Sequence, residues 1–166
     1  MAVRPVVRYP DPVLKRSAEP VGRIDEAARS VARDLVDTMR AAPATVGLAA
    51  QQIGEMIRVF ALDVGDHPKA KTSCGLVVLF DPVVVESSDP EVAREGCLSV
   101  PDLTADVRRA RRLVIAGLDA EGEGRQLAME GFEARAALHE LDHLDGLLIL
   151  DRVDAASQLF PRKVYR

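Results

Sequence analysis

Four runs of apolar character, the first two β-branched, lie between two stretches of helical periodicity, and this order constrains the chain more than any other feature. The runs are Val59–Val64, Val77–Val85, Arg112–Leu118 and Gln126–Met129. Bounded by Gly, Pro and Asp, they are expected as strands. The first helical pattern runs from Asp25 to about Met39, with Ala28, Val31, Leu35, Val36 and Met39 on one face behind an Asp25 cap. The second is marked by Phe132, Ala136, His139, Leu141 and Leu144, and Gly146 is placed to close it in a left-handed conformation. Strands gathered between two helices indicate the α+β class. The turn-rich Asp119–Gly124 segment predicts antiparallel pairing, so antiparallel sheets packed around a C-terminal helix are expected.

Weaker signals fill the gaps. Asp11 and Pro12 predict a short helix through Lys15. The small-residue stretch Val46–Gly54 reads as a loop or edge segment, Gly65–Cys74 as a connection, and Cys97–Pro101 as a short strand. No repeat, low-complexity tract or linker-like shift divides the 166 residues, so one domain spanning 1–166 is expected.

Composition excludes several functions. With no Trp, two Tyr and four Phe, the core must be built from Val, Leu, Ile and Ala, and no aromatic surface offers stacking for bases. A net charge of −4, from 22 basic and 26 acidic residues, argues against DNA as a partner. No apolar run reaches the roughly 18 residues of a membrane helix, and the opening Met1-Ala2-Val3-Arg4-Pro5 leads into no signal-type segment. A cytoplasmic protein without membrane attachment is expected. Two cysteines, Cys74 and Cys97, are too few for a disulfide framework and suit a reducing compartment. Two basic clusters, one of Arg108, Arg109, Arg111 and Arg112 and one of Arg162, Lys163 and Arg166, read as a solvated strand edge and a solvated tail. Contact with ribosomal RNA is the functional alternative.

The residues that carry chemistry begin with His139-Glu140-Leu141-Asp142-His143. Imidazoles at i and i+4 share one helix face, where both can reach a single metal ion, and Glu140 sits beside them as a general acid/base toward a metal-bound water. The competing reading is an accidental match on an amphipathic helix. Only three His occur in the chain, and two of them at ligand spacing favour a metal. His67, alone in a polar loop, reads as a solvated surface residue.

A hydrolytic site needs a third ligand and a position left for water. A metzincin-like site would place His where Ile149 stands, and a thermolysin-like site would need a downstream acid, for which only Asp151 and Asp154 are available. The soft ligand left is Cys97, in Glu95-Gly96-Cys97-Leu98-Ser99, where Gly96 permits close backbone approach. Cys74 reads as an ordinary buried cysteine.

Together, Gly47-Leu48-Ala49-Ala50-Gln51-Gln52, Glu95-Gly96-Cys97-Leu98-Ser99 and His139-Glu140-Leu141-Asp142-His143 resemble, in order and spacing, the three signature motifs of the peptide deformylases. Tyr9-Pro10-Asp11-Pro12 and Leu144-Asp145-Gly146 extend the resemblance over nearly the whole chain. It implies removal of the formyl group from the N-terminal formyl-methionine of nascent polypeptides, by metal-bound hydroxide with Glu140 as acid/base. One divalent metal ion is implied, typically Fe2+ in cells, with Zn2+, Ni2+ or Co2+ able to replace it. By resemblance, Gln52 and the backbone N–H of Leu98 are donors to the developing oxyanion. Gly47, Val46, Phe132 and Ala136 are then candidates for substrate binding, with plain core packing as the alternative for the apolar ones. The partners implied are nascent formylated peptides, with a transient contact to the ribosome.

Four departures from the family pattern stand out. Leu138 occupies the place of a Gln before the first His, which predicts a missing polar contact, and Thr104 stands where an Arg often grips the substrate backbone. Thr45 replaces a common Gly, and Gln51 a Pro or small residue. None removes a metal ligand, but they keep two other readings open: a divergent homologue acting on another N-formyl or N-acyl amide, and a non-catalytic zinc-stabilised binding module.

Overall fold

The computed structural model describes residues 2–163, so Met1 and, at the other end, Arg166 of the second basic cluster lie outside the described residues. A short 3-10 turn, Pro12–Lys15, is capped by Asp11, whose carboxylate accepts from Val13 N at 3.0 Å. Helix α1, Glu26–Ala41, starts where Asp25 accepts from Ala28 N at 2.9 Å. Strands β1 (Gly47–Ala49), β2 (Val59–Leu62), β3 (Val77–Cys97), β4 (Val100–Leu118) and β5 (Gly124–Glu130) follow, then helix α2 (Phe132–Leu144) and strand β6 (Leu159–Pro161). The strands form an antiparallel sheet in the order β1-β2-β3-β4-β5, with β6 pairing on the far end of β4. The α+β expectation and the antiparallel pairing are borne out.

The sheet is buried on both sides at β2. Phe60 and Leu62 face a core shared with Ala134, Ala137, Leu141 and Leu144 of α2, while Val59 and Ala61 face Ala28, Ala32, Leu35 and Met39 of α1. Strand alternation with a helix on each face explains why this strand reads as an unbroken apolar run. The Val46–Gly54 stretch becomes edge strand β1 followed by a 3-10 turn, Ala50–Ile53.

The hairpin of β3 and β4 is much longer than its apolar patterns. Residues 85–92 of β3 are exposed on both faces and include Pro90, so nothing in their periodicity announces a strand. Beyond Phe80 this part of β3 pairs with β4 alone, and an edge ladder tolerates proline. The Cys97–Pro101 segment is correspondingly a hairpin tip and not a strand of its own. Cys97 ends β3, Leu98 and Ser99 make the turn, and Val100 opposite Cys97 starts β4.

Helix α2 ends as expected. Gly146 takes φ +74, Leu147 N donates to Asp142 O at 2.8 Å and Gly146 N to His143 O at 3.0 Å, closing the last turn in the Schellman pattern. A side chain at Gly146 would meet Lys15 O at 2.8 Å, so the 3-10 turn at Pro12–Lys15 packs against this helix end.

Candidate active site

Two elements meet to build the site. His139 and His143 project from one face of α2 with ring centroids 4.9 Å apart, and the tip of β3 brings the Cys97 sulfur to 3.4 Å from His143 Nε2. One ligand atom from each of the three residues lies within 4.8 Å of the others. Burial alone would raise the Cys97 thiol, but the two imidazoles hold it well below its usual value, which favours the thiolate that binds metal. A thiolate with two imidazoles fits a divalent transition ion, and three protein donors leave a coordination position free.

His139 is oriented from behind. Its Nδ1 lies 2.9 Å from Glu95 Oε2, which leaves Nε2 as the nitrogen for a metal. Arg109 grips Glu95 with a bidentate fork, Nε to Oε1 at 2.9 Å and Nη2 to Oε2 at 3.0 Å, and Arg135 adds a bond at 2.8 Å. Burial would raise the Glu95 carboxyl, yet the bonds from His139 and Arg109 hold it well below the usual carboxylate range. Arg109 also donates to Asp142 at 2.5 Å, and Asp142 accepts from Arg152 at 2.9 Å. The network thus runs from the surface to the imidazole. Leu138, where the family pattern has Gln, packs against the apolar cluster of α2, while His139 is held by Glu95.

Gln52 is buried, with its amide fixed in orientation. Its Oε1 accepts from Ala49 N at 3.0 Å, and its Nε2 donates to Ser99 Oγ at 3.2 Å, 3.8 Å from the Cys97 sulfur. The extended N-terminal segment ties these parts together: Val7 N donates to Gln52 O at 2.7 Å, Ser99 Oγ to Val7 O at 2.7 Å, and Tyr9 N to Ser99 O at 2.8 Å. Gln51 donates to the carbonyls of His143 and Arg16. The amide that departs from the family pattern thereby fastens the Ala50–Ile53 turn to the end of α2.

Glu140 is 4 % exposed and its Oε2 has no hydrogen-bond partner among the described residues. Burial pushes its carboxyl up to about 7, against the pull of the two imidazoles. Val46, Gly47, Gln52, Cys97, Leu98, Phe132, Ala136, His139 and Glu140 all line one cleft, and His143 is buried beside them.

Three surface readings are corrected. Cys74 is exposed, not buried, with its sulfur 3.7 Å from Ala128 O. His67 is not a free surface residue: its ring stacks on Phe132 at 4.2 Å between centroids, and it lines the same cleft. Arg109 leaves the solvated basic edge entirely, being 5 % exposed, because its charge is used on Glu95 and Asp142. The partners Glu95, Arg109, Asp142 and Arg135 are functional neighbours that residue-by-residue reading misses. For Asp142 and Arg135 the one signal is charge at positions of α2 that otherwise face the core, whereas Glu95 lies on β3 and Arg109 on β4.

A Polypeptide deformylase family model matches residues 3–158. The chain belongs to the polypeptide deformylase family. That family comprises metal-dependent enzymes, hydrolases that deformylate N-formylmethionine. A peptide deformylase from Dictyoglomus thermophilum is 41% identical over 150 residues, 90% of this chain and 92% of its own. The crystal structure of a peptide deformylase from Thermotoga maritima superposes with a TM-score of 0.83 at 35% identity, covering 93% of this chain and 100% of that one. A class I type b peptide deformylase from Acinetobacter baumannii with Met-Ala-Ser bound superposes at a TM-score of 0.83 and 32% identity, covering 92% and 99%. The Cys and two His of a deformylase metal site are present here, and no helix among the described residues is long and apolar enough to cross a membrane.

Proposed function

We propose that this chain removes the N-formyl group from the formyl-methionine of nascent polypeptides in the cytoplasm, acting as one deformylase unit over 1–166. In this reading Cys97, His139 and His143 hold one divalent metal ion, Fe2+ in cells, with Zn2+, Ni2+ or Co2+ able to take its place. The ion, when bound, supplies Lewis acidity toward the formyl carbonyl and toward water. The observation that carries the reading is Glu140: a buried carboxylate whose Oε2 has no hydrogen-bond partner among the described residues, beside the Cys/His/His group and lining a cleft.

Glu140 takes the proton of the attacking water and delivers it to the leaving amine. Gln52 Nε2, fixed by the bond of its Oε1 to Ala49 N, donates to the oxygen on which negative charge develops, together with the Leu98 backbone N–H. Being neutral, Gln52 does this without drawing Glu140 into an ion pair. The methionine side chain is received by Val46, Gly47, Phe132 and Ala136, a reading supported by their presence in the same cleft as Glu140. Glu95 and Arg109 keep the His139 ring in place.

A closed structural zinc site is disfavoured, since the group of candidate donors among the described residues has three members and Glu140 faces the cleft. Contact with the ribosome would fall to Arg108 and Arg111, which are exposed, because Arg109 is buried and Arg112 lies beside Asp89 and Glu130.

The test is formate release from formyl-Met-Ala-Ser by the anaerobically purified iron form. Formate and Met-Ala-Ser in equal amounts are expected. No release by metal-replete protein overturns the reading.

A further inference from the structure

The cleft carries more positive charge than its metal group and acid/base use. Two of its arginines are committed. Arg94 donates to Asp106 at 2.6 Å and lies 3.4 Å over the Phe160 ring, and Arg135 is bound to Glu95 and to three backbone carbonyls. Arg162 differs: among the described residues its guanidinium has no hydrogen-bond or ion-pair partner, yet it lines the same cleft as Cys97 and Glu140.

Its position is fixed by the sheet. Strand β6 pairs Phe160 with Thr104, and Arg162 N donates to Asp102 O at 2.9 Å, with the Arg162 side chain lying back across the end of β3. There the guanidinium lies over Gly96: a Cβ at that position would stand 3.4 Å from Arg162 Nη2. Gly96 is next to Cys97, so a fork of N–H donors stands at the cleft a short way from the Cys/His/His group. Thr104, the residue of β4 at this point, offers no charge of its own.

We propose that Arg162 is a peptide-binding residue, donating to a main-chain carbonyl oxygen of the substrate beyond its formyl-methionine. The guanidinium suits this acceptor: it presents several N–H donors in one plane and stays charged at every working pH. The inference rests on the deformylase reading above, and it concerns how long peptides are distinguished from short ones.

The experiment compares wild type with Arg162→Gln on two amide-capped substrates, formyl-Met-Ala-Ser-NH2 and formyl-Met-NH2, reading kcat and KM separately. For the variant, KM toward the longer substrate rises roughly five- to tenfold, the size expected for one lost charge-assisted hydrogen bond at a partly exposed site, and kcat stays within about twofold. KM toward formyl-Met-NH2 changes by less than about twofold. Arg162→Lys recovers part of the loss, since the charge returns without the fork. Equal KM ratios in variant and wild type overturn the inference, as does a loss shared equally by both substrates, the mark of a merely structural role. Wild type run alongside separates the two levels: if it turns over both substrates and the variant matches it, the Arg162 role falls while the deformylase reading stands. If wild type releases no formate, both fall.

Discussion

The carboxylate of Glu140 lies against the bare Cα of Gly47: a Cβ there would stand 2.5 Å from Oε1 and 3.0 Å from both Cδ and Cγ. Edge strand β1 therefore passes α2 more closely than any side chain permits, and the glycine of the first motif is explained by the carboxylate of the third. Gly47→Ala must push Glu140 aside. A displacement of about 1 Å in a reacting group costs on the order of 100-fold in rate, so formate release is expected to fall by about that factor while metal content, by elemental analysis, is unchanged. Near-normal turnover would show that the placement of Glu140 is not critical.

Glu140→Gln tests the role more directly. The amide keeps the volume and all three ligands but neither accepts nor delivers the proton, so a loss of roughly 100- to 10,000-fold in kcat is expected. The variant should retain its metal through dialysis. Unchanged turnover rules out the acid/base assignment.

Cys97→Ser probes the metal group. A serine hydroxyl is a poorer donor to these ions than a thiolate, and the buried site beside two imidazoles that now favours the thiolate gains nothing from a hydroxyl. Metal per protein after dialysis is expected to fall well below that of wild type. Full retention would show that Cys97 is not a ligand.

How much of this was legible in the sequence follows the range of each interaction. The His139 and His143 pair is local, one helical turn apart, and Cys97 could be reached by its chemistry, as a soft donor next to a glycine. Glu95 and Arg109 could not. Their bond depends on the register of β3 against β4, and β3 runs on through polar, proline-containing sequence with no apolar period to reveal it. Arg109 in particular is indistinguishable in sequence from its exposed neighbours Arg108 and Arg111. His67 sits in a polar connection whose path back to Phe132 is set by the fold, not by composition.

That register gives a stability prediction. Arg109→Met keeps the packing of the side chain but removes its charge, leaving Glu95 and Asp142 buried with fewer donors. Breaking one member of a buried ion network costs about 3 kcal/mol or more, roughly 6–12 °C in Tm for a chain of this size. Thermal unfolding at saturating metal measures it. A Tm within about 2 °C of wild type would show that Arg135 and Arg152 suffice without Arg109.

The N-terminal segment that joins Gln52 to Ser99 is itself held to α1, and this attachment depends on pH. Asp34 accepts from Ala2 N at 2.8 Å and from Arg4 Nη1 at 3.1 Å, while Arg4 also reaches Glu55 at 3.2 Å. Burial would raise the Asp34 carboxyl, but the bonds from Arg4 and the Ala2 amide outweigh it and leave the group below its ordinary value of 3.8. A carboxyl depressed in the folded state contributes stability that is fully present above the unfolded pKa and is lost as pH falls through the folded one. Asp34→Asn removes that contribution at neutral pH. The Tm difference between wild type and variant should therefore hold steady from about pH 7 to about pH 5 and shrink once pH drops below the ordinary carboxyl value. A difference as large at pH 3 as at pH 7, or one that widens on acidification, would mean that the ionised form of Asp34 does not hold the segment in place.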